Sequence, residues 1–343
     1  MTFDEAITTV ENYQASIKEV PVESGLRVAN GNTLVVGDQP FRLEGAGFVR
    51  CCTQISAPAD YLRDLPDRFR QALMQHHFDC VDLSQRKLAV VVREERFLAF
   101  RRLDLHQLRG REVFEAVKEG AGRPLEVHGL VVSDEGFEAD LLVENESEEV
   151  VVGDIVSAGL HVSHSCIGDF ATRVVPYFYR LVCKNGLTRR ECGQGKQLSR
   201  TRRMSAERSD ARNVQFEQVR RLAFDTCRSL REKLEVIRKL KDQEVDAEKL
   251  MSRFLQRGGM STRLWLPRLR KAWDIEGSEP TAYGVMNAMT RMSTHGLRDI
   301  EEEAEISPRH QRILGGLAGI LAFQELHICP RCFSAVKNPV SNN

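Results

Sequence analysis

Three apolar runs between residues 125 and 165 constrain the fold of this chain more than any other feature. LEVHGLVVS and FEADLLVEN flank the short turn SDEG, and EEVVVGDIVSAGLHVSHS supplies a third long strand. Polar and apolar residues alternate along these runs, which is typical of strands with one buried face. Three consecutive strands at short spacing predict an antiparallel meander.

The apolar period changes after residue 195. From about Asp210, apolar residues recur at threes and fours, which predicts one long charged helix over 210–241. We therefore predict an α+β fold, with an antiparallel β-meander core and flanking helices, followed by a mostly helical C-terminal region. Further helices are predicted at 244–257, 261–273, 281–295 and 308–326. The predicted organisation is an N-terminal helix (1–20), an α+β core domain (21–195), a basic linker (196–210), a helical region (211–326) and a tail with a CxxC motif (327–343).

The first hundred residues predict short elements. A helix is expected over 3–19, and short strands are expected in NTLVVGD and FRLEGAGFV between residues 26 and 50. APADYLRDL predicts a helix, and a second helix from Asp67 to His77 is expected to turn Phe69, Leu73 and His76 inward. Residues 88–92 and 97–103 predict a hairpin, and residues 111–119 predict a helix that ends at Gly120 and Gly122.

Composition narrows the class of protein. The 343 residues carry 49 basic and 49 acidic side chains, so the formal net charge is zero. The N-terminus lacks the apolar run of a signal peptide, and no stretch approaches the length of a membrane span. The nine cysteines form no repeating framework. We expect a cytoplasmic protein with reduced thiols.

Charge is concentrated in residues 184–221, which we call the basic segment. It holds eleven basic and four acidic residues, a net charge of +7 in a neutral chain. Nine of the eleven are arginines, the side chain best suited to phosphate. Tyr177 and Tyr179 lie just upstream, and aromatics beside a basic surface are typical of single-strand binding. The candidate nucleic-acid-binding residues are Tyr177, Tyr179, Lys184, Arg189, Arg190, Lys196, Arg200, Arg202, Arg203 and Arg208.

The alternative for this region is structural. Strand geometry turns Tyr177 and Tyr179 one way and Phe178 the other, so at least one of these faces is expected to be buried. The arginines would then solvate a loop and a helix. The sequence leaves both interpretations open.

Two histidine and cysteine groups are candidates for metal binding. His161, His164 and Cys166 lack a standard ligand spacing, and on a strand His161 faces away from the other two, so we predict structural roles. At the C-terminus, Cys329 and Cys332 have zinc-knuckle spacing with His327 nearby, which makes zinc the one cofactor considered. The remaining ligands could come from Cys51 and Cys52 or from a second subunit, and a redox pair is the alternative.

Enzyme signatures are absent from the sequence. It holds no Walker A loop, GxSxG elbow, HExxH helix or Rossmann fingerprint, so an enzyme is the less favoured class. The alternatives to nucleic-acid binding are a structural or oligomerisation protein that uses its helical region, and a metal-dependent enzyme that uses Cys329 and Cys332.

Residues 161–187 resemble the phage/plasmid-like family catalogued as domain of unknown function 932. That family combines S-N-S-x-x-G, R-x-x-P and R-L-V-C-x-N-G blocks. His164 stands where asparagine is usual, and Cys166 stands where glutamate is common. A later N-A-x-T block is matched at Asn287, Ala288 and Thr290, and ISAPADYLRDLP resembles an early helical segment. The central matches are Ser163, Ser165, Gly168, Arg173, Pro176, Arg180, Leu181, Val182, Cys183, Asn185 and Gly186.

The resemblance covers most of residues 25–295, and its central block is the specific part. It implies a protein of phages, plasmids or bacterial genomes and gives no activity. A meander followed by a helix also resembles phage single-strand annealing proteins in topology. We therefore expect a nucleic-acid-binding protein of a mobile element, active in annealing or recombination, with single-stranded DNA as the favoured partner and a homo-oligomeric assembly.

Overall fold

The structure is a computed structural model that describes residues 1–22, 26–81, 87–103, 107–180, 185–188, 208–296 and 306–323. Two β-sheets and helices on their faces form the described part of the chain. The predicted α+β class, with a meander and a mostly helical C-terminal region, is confirmed. Every helix of the described residues is too short or too polar to cross a membrane.

The first sheet has six strands in the order β1-β5-β6-β4-β3-β2, and all pairs are antiparallel except β4 with β6. The predicted hairpin is confirmed as β5 and β6. Helices α2 to α4 cover one face of this sheet, where apolar side chains of both layers form a core. The elements of this half are α1 (Phe3–Ala15), β1 (Ile17–Pro21), β2 (Leu26–Ala29), β3 (Thr33–Val36), β4 (Gln39–Arg42), α2 (Gly45–Gln54), α3 (Ala59–Arg63), α4 (Asp67–Cys80), β5 (Leu88–Arg93) and β6 (Arg96–Arg102).

Three predictions for this half are wrong in detail. The first helix ends at Ala15, and the residues that follow pair with β5 as β1. The second part of FRLEGAGFV forms α2, because Gly45 turns the chain with a φ of 50° and the following residues bury Phe48 on one helical face. In α4, Met74 and Phe78 are buried, while Phe69, Leu73 and His76 face solvent.

The second sheet is the predicted meander, with its five strands in sequential order. EEVV belongs to the second of its long strands, because the chain turns at Val152-Gly153, where Gly153 has a φ of 80°. Helix α5 ends at Gly122 in the left-handed conformation, close to the predicted end. The elements are α5 (Gly110–Ala121), β7 (Leu125–Val132), β8 (Gly136–Val151), β9 (Asp154–Ser165), β10 (Arg173–Arg180) and β11 (Asn185–Thr188).

One face of the second sheet carries the apolar residues of the alternation, and two groups of helices cover it. Leu141, Leu160 and Val174 pack with α1, α5 and α6. Val156 and Phe178 pack with the helices of the C-terminal region. The alternation therefore divides the sheet into a covered apolar face and an opposite face.

The C-terminal region is helical, as predicted, with one difference. The predicted helix over 210–241 is interrupted at Ser229 and forms two helices. The apolar stripe of the second, which includes Leu234 and Ile237, is buried against the sheet within the same chain, so this stripe is not a surface for a partner. The helices are α6 (Arg208–Arg228), α7 (Leu230–Leu240), α8 (Ala247–Arg257), α9 (Thr262–Ile275), α10 (Ala282–His295) and α11 (Pro308–Phe323).

An ionic network joins the second sheet to this helical region. Asp154 is buried, and both of its carboxylate oxygens lie 2.7 Å from the Arg180 Nε, which donates to them. One of these oxygens also accepts a hydrogen bond from the Tyr283 hydroxyl at 2.9 Å. Arg180 also pairs with Glu276, whose other oxygen accepts from Arg291 at 3.0 Å. Charges that are removed from water are stable only when they are paired in this way. The network therefore fixes the end of β10 to α9 and α10.

Candidate nucleic-acid interface

Tyr177 and Tyr179 lie on the face of the second sheet that is opposite the apolar core. They alternate with Phe178, which packs among the C-terminal helices. The register places Tyr177 opposite Gly159 on β9 and opposite Thr188 on β11. A side chain at Gly159 would strike the backbone of Leu141 and Leu142 on β8, so this position requires glycine.

Histidine and aspartate side chains from the neighbouring strands complete the cluster. Asp140 of β8 and His161 of β9 are direct partners in the register, and His161 Nδ1 lies 2.7 Å from Asp140 Oδ1. The His128 ring of β7 lies 3.9 Å from the Tyr179 ring and 6.3 Å from the Tyr177 ring, measured between centroids. We call His128, Asp140, His161, Tyr177 and Tyr179 the tyrosine–histidine face.

A β-bulge positions His128 in this cluster. The register of β7 on β8 shifts between Val127 and Gly129, so His128 is an additional residue on the strand. Val127 is buried in the core, whereas His128 is exposed. Bulges of this kind redirect a side chain without ending the strand.

The two tyrosines are buried, with 4% and 9% of their surfaces exposed. Burial raises the pKa of the Tyr177 phenol, and the Asp140 carboxylate and Tyr179 raise it further. The phenol therefore stays protonated, so it is able to donate a hydrogen bond and is a poor nucleophile. Stacking of a base on either tyrosine stays a prediction, and it requires an opening of this face. His128 is the exposed ring of the cluster.

The structure does not describe the side chains of the other residues that were predicted to bind nucleic acid. Lys184, Arg189, Arg190, Lys196, Arg200, Arg202 and Arg203 lie outside the described residues. Arg208 begins α6, of which only the backbone is described at that position. Two parts of the basic segment are described: residues 185–188 form β11, which pairs with β10, and residues 208–221 belong to α6, which contacts β9 and β10.

The histidine and cysteine predictions have separate outcomes. His164 is buried on the core side, where it contacts the Thr172 hydroxyl and the Leu108 carbonyl, and His161 points to the opposite face as predicted. Cys166 lies at 2.9 Å from the Gln14 amide, and burial raises the pKa of its thiol. These contacts give His164 and Cys166 packing roles.

The zinc prediction at the C-terminus concerns residues that the structure does not describe. His327, Cys329 and Cys332 lie outside the described residues. Cys51 and Cys52, which were considered as additional ligands, are fully buried in the core of the first sheet. Burial raises the pKa of the Cys51 thiol well above its usual value and that of Cys52 to about 11, so both stay neutral thiols.

Residues of two sequence blocks that resemble the phage/plasmid-like family, R-L-V-C-x-N-G and N-A-x-T, lie close together in the structure. Arg180 from β10 and Asn287 and Thr290 from α10 line a cavity of about 20 Å³ together with Tyr283. Such a volume holds about one water molecule. These residues therefore connect the sheet to the helical region.

A larger cleft, about 410 Å³, lies between α2 and the turn that joins β7 to β8. Its arginines are paired with carboxylates across the cleft. Arg96 lies 3.2 Å from Asp134, and Arg50 pairs with Glu135. Because these charges neutralise each other, we assign the cleft a role in joining the two sheets.

Sequence reasoning missed the pairing of Asp140 with His161. The alternation placed both residues on one face of their strands, but the pair depends on the register between β8 and β9. Comparison with protein-family models, with curated proteins and with solved structures finds no match to the chain. The resemblance to the phage/plasmid-like family stays a prediction.

Proposed function

We propose that this protein binds single-stranded nucleic acid, with single-stranded DNA as the favoured ligand, and acts in annealing or recombination for a mobile element. The observation that carries the proposal is the position of the basic segment. Residues 185–188 of the segment form β11 at the edge of the second sheet, and residues 208–221 belong to α6, which contacts β9 and β10. Six of the eleven basic residues lie between β11 and α6 in the sequence.

The tyrosine–histidine face supports the proposal because it lies on the strands that carry this edge. Tyr177 and Tyr179 belong to β10, the direct partner of β11. The exposed His128 ring adds a flat surface that a base can stack on, and His161, oriented by Asp140, adds a hydrogen-bonding group. Cations that hold phosphates beside rings that stack bases are the general means of single-strand recognition.

We expect binding of labelled single-stranded DNA to weaken steeply with salt. Neutralisation of five or six phosphates predicts a slope of about −4 for log affinity against log salt concentration. Replacement of Arg200, Arg202 and Arg203 by alanine should reduce the magnitude of this slope by about 2. Fluorescence anisotropy measures both quantities.

The control is a second triple variant, with alanine at Arg257, Arg263 and Arg270, which are exposed on the C-terminal helices. It removes the same charge from another surface and should leave the slope unchanged. Micromolar or weaker binding that responds neither to salt nor to the first triple change would contradict the proposal. Duplex DNA and RNA as competitors establish the strand preference.

We expect His128→Ala to weaken binding by about five-fold or more, because base–aromatic stacking contributes about 1–3 kcal/mol per base. The exposed position of His128 means that its removal should not affect the fold. Tyr61→Ala, at an exposed aromatic residue of α3, is the matched control. Equal affinities of the two variants would exclude His128 from the binding surface.

A further inference from the structure

The outer surface of α4 carries a stripe of four side chains. Phe69, Leu73, His76 and Cys80 are spaced by four, three and four residues, so they lie along one line on the helix. Phe69 is 49% exposed and Leu73 is 36% exposed, and His76 and Cys80 are also exposed. Met74 and Phe78 fix the opposite side of the helix in the core of the first sheet.

The polar half of this stripe consists of two side chains of the kinds that bind transition metals. His76 Nε2 lies 3.7 Å from Cys80 Sγ, one helical turn away. Imidazole nitrogen and thiolate sulfur are the ligands that zinc prefers in proteins. His77 projects about 100° away around the helix and is outside the pair.

One chain supplies only half of such a site. Structural zinc takes four ligands in tetrahedral geometry. Among the described residues, no group of three or more histidine, cysteine, aspartate or glutamate side chains is placed to hold a metal ion. Cys80 is a free cysteine at the surface, so its thiol is available to a second molecule.

We propose that α4 forms a zinc site between two copies of this chain, in which each copy contributes His76 and Cys80. In a parallel pair of helices about a two-fold axis, each position of the stripe meets itself. The two histidines and two cysteines then meet around one ion, and Phe69 and Leu73 are covered by their counterparts. Each thiol releases its proton to solvent, so two thiolates, two neutral imidazoles and Zn²⁺ sum to zero charge.

The test uses the full chain with Cys329→Ser and Cys332→Ser, which removes the CxxC motif of the tail as a source of ligands. Titration with Co²⁺ should give a thiolate charge-transfer band and the visible bands of a tetrahedral site. Zn²⁺ should bind at one ion per two chains and convert monomer to dimer in size-exclusion chromatography with light scattering. EDTA should reverse the conversion.

Variants separate the ligands from the apolar stripe. His76→Ala and Cys80→Ser should each lose the Co²⁺ bands and the metal-dependent dimer, whereas His77→Ala should keep both. Leu73→Glu keeps the ligands and should lose the dimer, because it places a charge in the covered stripe. Circular dichroism checks that each variant is folded.

Three results would overturn the proposal. The first is the absence of a thiolate band in the tail variant. The second is a band or a dimer that persists in Cys80→Ser. The third is one zinc ion bound per monomeric chain, whether or not the tail cysteines are present.

Discussion

Replacement of Asp154 by alanine is expected to lower the free energy of unfolding by about 3–5 kcal/mol. Asp154 is buried and accepts contacts from the Arg180 guanidinium and the Tyr283 hydroxyl. Alanine leaves a cation and a hydroxyl in the interior without this acceptor, and an uncompensated buried charge is far more costly than the loss of an exposed pair. Urea denaturation measures the change.

Two further variants define what the Asp154 measurement means. Asp154→Asn keeps an acceptor for Tyr283 and removes the charge, so its effect should be smaller. Glu217→Ala breaks an exposed pair with Arg220 on α6 and should cost less than about 1 kcal/mol. If Asp154→Ala costs no more than Glu217→Ala, the network does not join the sheet to the helices in the way described.

Acid should destabilise the protein through His164 by roughly 3 kcal/mol. Burial lowers the pKa of His164 to about 4, an effect that the hydrogen bond to the Leu108 carbonyl opposes only in part. A carbonyl can only accept, so Nε2 carries the proton and Nδ1 accepts from Thr172, which defines the neutral tautomer.

The direction in which pH changes the stability follows from the protonation of His164 in the folded and unfolded states. Above the unfolded pKa of about 6.5, the imidazole is neutral in both states and the stabilisation is complete. Below it, the unfolded chain binds a proton that the folded chain does not, so stability falls with pH until the folded pKa near 4 is passed. At about pH 5 the loss is roughly 2 kcal/mol, because about 1.5 of the roughly 2.5 pH units between the two pKa values have been passed. Urea denaturation at neutral pH and at about pH 5 measures this loss.

His164→Asn supplies the comparison for the pH experiment. Asparagine can donate and accept hydrogen bonds but does not titrate in this range. The variant should therefore lose less stability than the natural chain on acidification, whatever its stability at neutral pH. Equal losses in the two proteins would assign the acid sensitivity to other groups.

Much of the second sheet and of the helical region could be predicted from local patterns. The alternation in β7 to β9 determines which residues face the core, because one buried face imposes a period of two. The stripe that includes Leu234 and Ile237 predicts a helix with one buried face in the same way. Helices α8 to α11 begin and end close to the residues that capping and breaker signals indicated.

The errors have a common physical origin. Phe69 and Leu73 share a helix with Met74 and Phe78, and either pair could define an inward face until the first sheet is present. The contact between Asp140 and His161 depends on strand register, which the residues between the strands do not determine. The exception is the break at Ser229, where the serine amide and hydroxyl both donate to the Thr226 carbonyl, a local turn that the apolar period does not reveal.

The second sheet and the C-terminal helices share one hydrophobic core, so a cut in the chain between them should not separate them. Phe178 and Val156 are covered by helices that follow the basic segment in sequence. A protease that cuts within the basic segment should therefore yield two pieces that remain associated, and neither piece should be soluble when it is expressed without the other. A nucleic-acid ligand that holds the basic segment would then protect the site of cleavage and leave the association of the two pieces unchanged.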